Sequence, residues 1–215
     1  MPKTAIILFN LGGPDQLSSV RPFLFNDKAI INLPNPFRFL LAKLISSRRY
    51  KKASDIYHLI GCRSPLREIT ICQSVALEKE LSKSGDFRVF TSMRYWHPFS
   101  FEIIDEVLDY QLDQVILLPL YPQFSTTTSK SSIDDFTDHF NKKINKNESK
   151  ITIKSICCYP VEPNFIASHA RLLKETIKKS GQNIDDFLKN FRILFSAHGL
   201  PQKVIDKGDP YVYQV

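Results

Sequence analysis

Short apolar runs alternate along the chain with longer stretches of helical period. Ala5 to Phe9, Phe87 to Phe90, Gln114 to Leu118, Ile151 to Ile156 and Arg192 to Ser196 each predict a strand. Between them, apolar residues recur three and four apart. Leu66, Ile69, Cys72 and Ala76 share one helical face, and Phe165, His169, Leu172 and Leu173 share another, where His169 reads as packing. Near-continuous apolar strands separated by amphipathic helices are the signature of a parallel sheet covered on both faces. The expected fold is α/β, a doubly wound parallel sheet. The polar, lysine-rich stretch from Asn141 to Lys150 suits a hinge, so two domains are expected, residues 1–148 and 149–215, the second only begun. The ending, Asp209 to Val215, reads as cut, with no terminal helix, Gly cap or polar tail.

In such folds the binding crevice lies beyond the carboxyl ends of the strands. The unusual residues fall there. Asn10-Leu11-Gly12-Gly13-Pro14 follows the first strand, and Arg94-Tyr95-Trp96-His97-Pro98 follows the second. Pro119 to Thr128, with Tyr121 and the hydroxyl run Ser125-Thr126-Thr127-Thr128, follows the third, and Ala197-His198-Gly199-Leu200-Pro201 the fifth. The Gly12-Gly13 pair lacks both G-x-G-x-x-G and the P-loop Lys-Ser/Thr, which argues against a nucleotide cradle. A tight turn, or close approach of a flat ligand to the backbone, explains it better. Ser196-Ala197-His198 is not G-x-S-x-G, which argues against a hydrolase elbow. His198, between small neighbours, can bind a metal or take a proton, or can be an ordinary loop histidine. Arg94, Tyr95, Tyr121 and the hydroxyls either anchor loops or line a pocket for a large planar ligand.

Composition adds three constraints. The 215 residues carry 29 Lys+Arg against 22 Asp+Glu, a net charge of +7, without one long basic tract. Pro36 to Ile45 predicts a short amphipathic helix with Phe37, Leu40, Leu41 and Leu44 on one face, followed by the basic cluster Arg48 to Lys52. That pairing is either a core-facing helix or an apolar lip backed by cations, suited to an apolar ligand with carboxylate tails or to a membrane surface. The four cysteines, Cys62, Cys72, Cys157 and Cys158, show no C-x-x-C or zinc spacing and are expected as reduced, partly buried thiols. No apolar run reaches transmembrane length. A cytoplasmic protein with room for peripheral membrane contact is expected.

Taken in order, Leu8 to Pro14, Ile60-Gly61 through Ser64-Pro65-Leu66, Arg94-Tyr95 with His97-Pro98, Tyr121-Pro122-Gln123 with Ser125 to Thr128, Ser196 to Pro201, and Gly208-Asp209-Pro210-Tyr211 resemble the successive signatures of the ferrochelatase family. The resemblance implies a chelatase-like fold of two similar Rossmann-like halves around a porphyrin cleft, of which this chain holds the first half and the start of the second. It implies insertion of ferrous iron into protoporphyrin IX in heme biosynthesis. It implies His198 as the active-site histidine, iron ligand or acceptor of a pyrrole proton, and Arg94 and Tyr95 as catalytic residues on the opposite wall. Leu11, Tyr57 and Tyr121 match pocket residues, Arg49, Lys52 and Ser64 match groups that hold the propionates, and Ser125 belongs to the substrate-binding set. The partners implied are protoporphyrin IX and ferrous iron, both substrates, with no nucleic acid, no required cofactor and no iron–sulfur cluster. The family's essential glutamate lies downstream of the His198 signature, outside this chain, so activity of the chain alone is open. Relatives that metallate other tetrapyrroles lack the Gly61-to-Pro65 segment. A non-catalytic porphyrin- or partner-binding module is the rival from another class.

Overall fold

The computed structural model describes residues 1–26, 49–144 and 150–215. Its sheet has four parallel strands: β1 (Thr4–Asn10), β2 (Phe87–Met93), β3 (Gln114–Pro119) and β4 (Thr152–Ser155), in the order β2-β1-β3-β4. β1 lies inside the sheet, with Ile6 opposite Val89 on one side and Ile116 on the other. The strand order reverses at β1, so the β1/β3 edge is the switch point where such sheets open a crevice.

Alternation decides which side chain faces which layer. Ala5, Ile7 and Phe9 of β1 join Phe90, Val115 and Leu117 in the main core. Helices α3 (Ser100–Asp109) and α4 (Ser131–Lys143) close it with Ile103, Ile104, Val107, Phe136 and Phe140. Phe136 stands edge-on to Phe9 at 5.8 Å and stacks on Phe140 at 5.4 Å. α3 starts where it does because the Glu102 carboxylate accepts the Phe99 N–H at 2.8 Å, with its other contacts going to the His97 ring.

The opposite face of the sheet meets α2 (Leu66–Leu81), which packs along β2 and β1. Here the expected helical face is corrected. α2 buries Thr70 and Ser74 and turns Ile69, Cys72 and Ala76 outward. The hydroxyls fit because Thr70 Oγ1 accepts from Asn10 Nδ2 at 3.0 Å and donates to Leu66 O at 2.8 Å, so its burial is satisfied.

The chain divides into two compact units. The first is Met1–Tyr121 with Thr126–Cys157, and the second is Pro122–Ser125 with Cys158–Val215. β4 joins the first sheet beside β3, so the first unit runs past residue 148 to Cys157. In the second unit, α5 (Pro163–Lys179) is capped by Glu162, whose carboxylate accepts the Phe165 N–H at 2.7 Å, and α6 (Ile184–Asn190) by Asn183. α5 buries Ile177 and half-buries Phe165 and Leu173, while His169 is exposed, its ring tilted against that of Phe165 at 4.3 Å. The short helices α7 (Gln202–Ile205) and α8 (Tyr211–Gln214) follow, so the last residues do include a helical turn. Arg192 to Ser196, expected as a strand, is irregular, with Leu194 89% and Phe195 90% exposed. A lone strand has no ladder partner to satisfy its amides. Cys62, Cys72 and Cys157 are exposed rather than partly buried, and none of them is in a disulfide. The expected helix Pro36 to Ile45, with Arg48 after it, lies outside the described residues, as do residues 145–149 of the expected hinge.

Candidate active site

Three segments leave the carboxyl ends of β1, β2 and β3. Pairing continues past the strands, because Arg94 N–H donates to Asn10 O at 2.9 Å and Tyr95 N–H to Leu11 O at 3.0 Å. On the other side of β1, Leu120 N–H donates to Phe9 O at 2.8 Å. The β1 loop can follow this path only with glycine. Gly12 has φ +85°, and a Cβ there would lie 3.0 Å from both the N and Cβ of Trp96. A Cβ on Gly13 would lie 2.5 Å from the Cβ and Oγ of Ser64. The Gly-Gly pair therefore seats the loop between Trp96 and Ser64.

Arg94 and Tyr95 share one surface. Tyr95 is 4% exposed and packs with Trp96, Phe23 and Leu11. The Arg94 guanidinium carbon stands 5.2 Å from the Tyr95 ring centroid, in cation–π range. Arg94 Nη1 donates to Asp135 Oδ1 at 3.1 Å, and Nε donates to Ser131 Oγ at 3.3 Å. Tyr121 enters from the end of β3 and packs on the main core. Its hydroxyl and Ser132 Oγ are buried side by side without meeting hydrogen-bond geometry. Burial pushes the Tyr121 hydroxyl well above the usual tyrosine range, with a further upward push from Tyr95 and a downward one from Arg94.

The remaining expected site residues of the first unit lie on and after the helical segment 49–59. Arg49 and Lys52 are exposed, three residues apart on one side of the helix, with no ion-pair partner among the described residues. Tyr57 is half-buried, and burial raises its hydroxyl pKa. Ser64 Oγ accepts the Leu66 N–H at 3.3 Å, so it also helps start α2. In the second unit, Ser125 is buried and donates to Asp209 Oδ2 at 2.9 Å, while Asp209 Oδ1 accepts the Tyr211 N–H at 3.0 Å. His198 sits in the irregular segment after residue 191 and is exposed.

The structure thus brings together Leu11, Arg94 and Tyr95, with Tyr121 close enough to feel the charge of Arg94. Ser131, Asp135 and Trp96 belong to the same wall and were not singled out as site residues from sequence. The available signal was Ser131 and Asp135 at helical spacing just after a hydroxyl run, with an Arg immediately past the end of β2. Among the described residues no group of three or more His, Cys, Asp or Glu side chains is arranged to hold a metal ion, and no helix is long and apolar enough to cross a membrane.

The family model described as Ferrochelatase matches residues 3–215. The Ferrochelatase of Rickettsia bellii (strain OSU 85-389) is 55% identical over 218 residues, covering 99% of this chain and 57% of that protein. That of Rickettsia felis is 52% identical, covering 99% and 59%, and that of Pelagibacter ubique is 48% identical, covering 99% and 60%. The chain therefore spans somewhat under two thirds of the length of the relatives it matches. With strand-end signatures in order and a match along essentially its whole length, the chain belongs to the ferrochelatase family.

Proposed function

We propose that this chain carries the porphyrin-holding wall and the histidine of an enzyme that inserts ferrous iron into protoporphyrin IX, forming protoheme and releasing two protons. The observation that carries the reading is the Leu11, Arg94, Tyr95 and Tyr121 surface at the β1/β3 switch point, in a chain of this family. An aromatic surface with a few fixed polar groups suits a flat macrocycle. Arg49 and Lys52, exposed and without an ion-pair partner among the described residues, are available to take the two propionates by charge-assisted hydrogen bonds. Iron is a substrate in this reading. His198 lies on the family's signature for the iron ligand or proton acceptor, and its exposure leaves both roles open to it. Puckering of the ring would be driven by binding energy from the rest of the macrocycle. The reading places the protein in the cytoplasm.

Anaerobic incubation of the purified chain with ferrous iron and protoporphyrin IX tests this. Appearance of the heme spectrum supports it, and absence of both insertion and porphyrin binding refutes it. A second reading, a module that binds porphyrin or a partner without turnover, is favoured by the exposure of Leu194 and Phe195 beside His198. An apolar segment in that state is suited to pairing with further polypeptide. Saturable porphyrin binding without insertion would select this reading.

A further inference from the structure

We propose that Asp135, assisted by Ser131, is the positioning residue for Arg94: it fixes the guanidinium over Tyr95 and neutralises its charge, so that this wall can face an arriving dication. The inference rests on the ferrochelatase reading above.

A bare guanidinium beside a metallation site would repel the incoming cation, and the more so where water is scarce. The geometry removes that problem. Arg94 and Asp135 are 13% and 19% exposed in their side chains, so solvent screens the pair far less than it screens the other ion pairs of the chain. Ser131 and Asp135 lie one turn apart on α4 and present their oxygens together. Ser131 Oγ contacts Thr127 O and Thr128 O at 3.1 Å each, which turns its proton away and its lone pair toward Arg94 Nε. Nε and Nη1 are thereby held, and Nη2 makes no hydrogen bond among the described residues. One end of the fork is clamped and the other is left for a ligand. The planar group also keeps its place over the Tyr95 ring, so loss of the clamp would loosen two members of the wall together.

A double-substitution cycle on the 215-residue chain, read by Soret titration with protoporphyrin IX, tests this. Asp135→Asn keeps the shape and removes the charge. It should weaken porphyrin binding about tenfold and move the bound Soret band toward that of Arg94→Met. In the Arg94→Met background the same change should alter affinity by less than about twofold. Asp135→Glu should recover most of the loss, and Ser131→Ala should cost only about threefold, as expected for one partly buried hydrogen bond. Equal weakening by Asp135→Asn in both backgrounds, or no weakening in either, overturns the positioning role. Failure of the underlying reading looks different: the unsubstituted chain would not bind porphyrin, or Arg94→Met alone would bind it as the unsubstituted chain does, and the proposal would fall with it.

Discussion

Replacing Gly12 by alanine tests whether the β1 loop is held as tightly as its geometry indicates. Two costs arise. A non-glycine residue at φ +85° carries a left-handed penalty of about 1–2 kcal/mol. The new Cβ would also meet Trp96 N and Cβ at 3.0 Å and Met93 Cβ at 3.2 Å. Those atoms belong to the backbone and to the roots of side chains, so they cannot swing aside. Crowding of this kind costs about 1–3 kcal/mol. Gly61 supplies the control, because it lies in the same unit at φ +91° with nothing within 4 Å of an added Cβ. Gly61→Ala should therefore pay the backbone penalty alone. The unfolded-chain gain of replacing glycine is common to both and cancels in the difference. Urea unfolding can be followed through Trp96, the single tryptophan, which is 8% exposed in the fold. The expected result is a loss for Gly12→Ala exceeding that for Gly61→Ala by about 1–3 kcal/mol, with an unchanged urea dependence. Equal losses would refute the reasoning, since they would mean that the loop yields freely and does not fix Trp96 or its neighbours Arg94 and Tyr95.

Tyr121→Phe removes a buried hydroxyl without hydrogen-bond geometry and should change stability at neutral pH by less than about 1 kcal/mol, or raise it. Its signature is alkaline. Burial raises the folded-state pKa, so the neutral hydroxyl's contribution is complete below the ordinary tyrosine range near 10 and is lost as pH rises through the folded value. Denaturation midpoints measured across pH 9–11 should therefore fall more steeply for the unsubstituted chain than for Tyr121→Phe; parallel slopes would contradict this, because Tyr57, Tyr110 and Tyr159 are common to both. Arg49→Ala with Lys52→Ala should weaken porphyrin binding about tenfold, and less in high salt, with little effect on the rate of insertion into bound porphyrin; unchanged affinity rejects the propionate role. His198→Ala in the complete enzyme should abolish insertion while sparing porphyrin affinity, as measured by Soret titration; equal loss of both points to a structural histidine.

The first sheet was legible because its inner strand β1 is buried on both faces. Ile6 and Leu8 meet one helical layer and Ile7 and Phe9 the other, which leaves a continuous apolar run that only a central parallel strand explains. The grouping of the candidate residues followed from the same topology, since Leu11, Arg94 and Tyr121 are simply what comes after β1, β2 and β3. What could not be read was partnership across sequence distance. The small polar face of α2 is buried because Asn10 reaches Thr70, and periodicity in apolar residues points to the wrong side of that helix. Asp135 looked like an ordinary helix-surface acid until β2 placed Arg94 against it. Arg192 to Ser196 has a strand's composition, but a strand exists only through its neighbours, and the described residues supply none.

The central claim is that the surface formed by Leu11, Arg94, Tyr95 and Tyr121 is a wall for porphyrin. The structure of the chain determined in complex with protoporphyrin IX addresses it most directly. The account predicts the macrocycle lying against that surface at the β1/β3 edge, with its propionates toward Arg49 and Lys52. A ring bound elsewhere, with Arg94 and Tyr95 undisturbed and out of its reach, would contradict it.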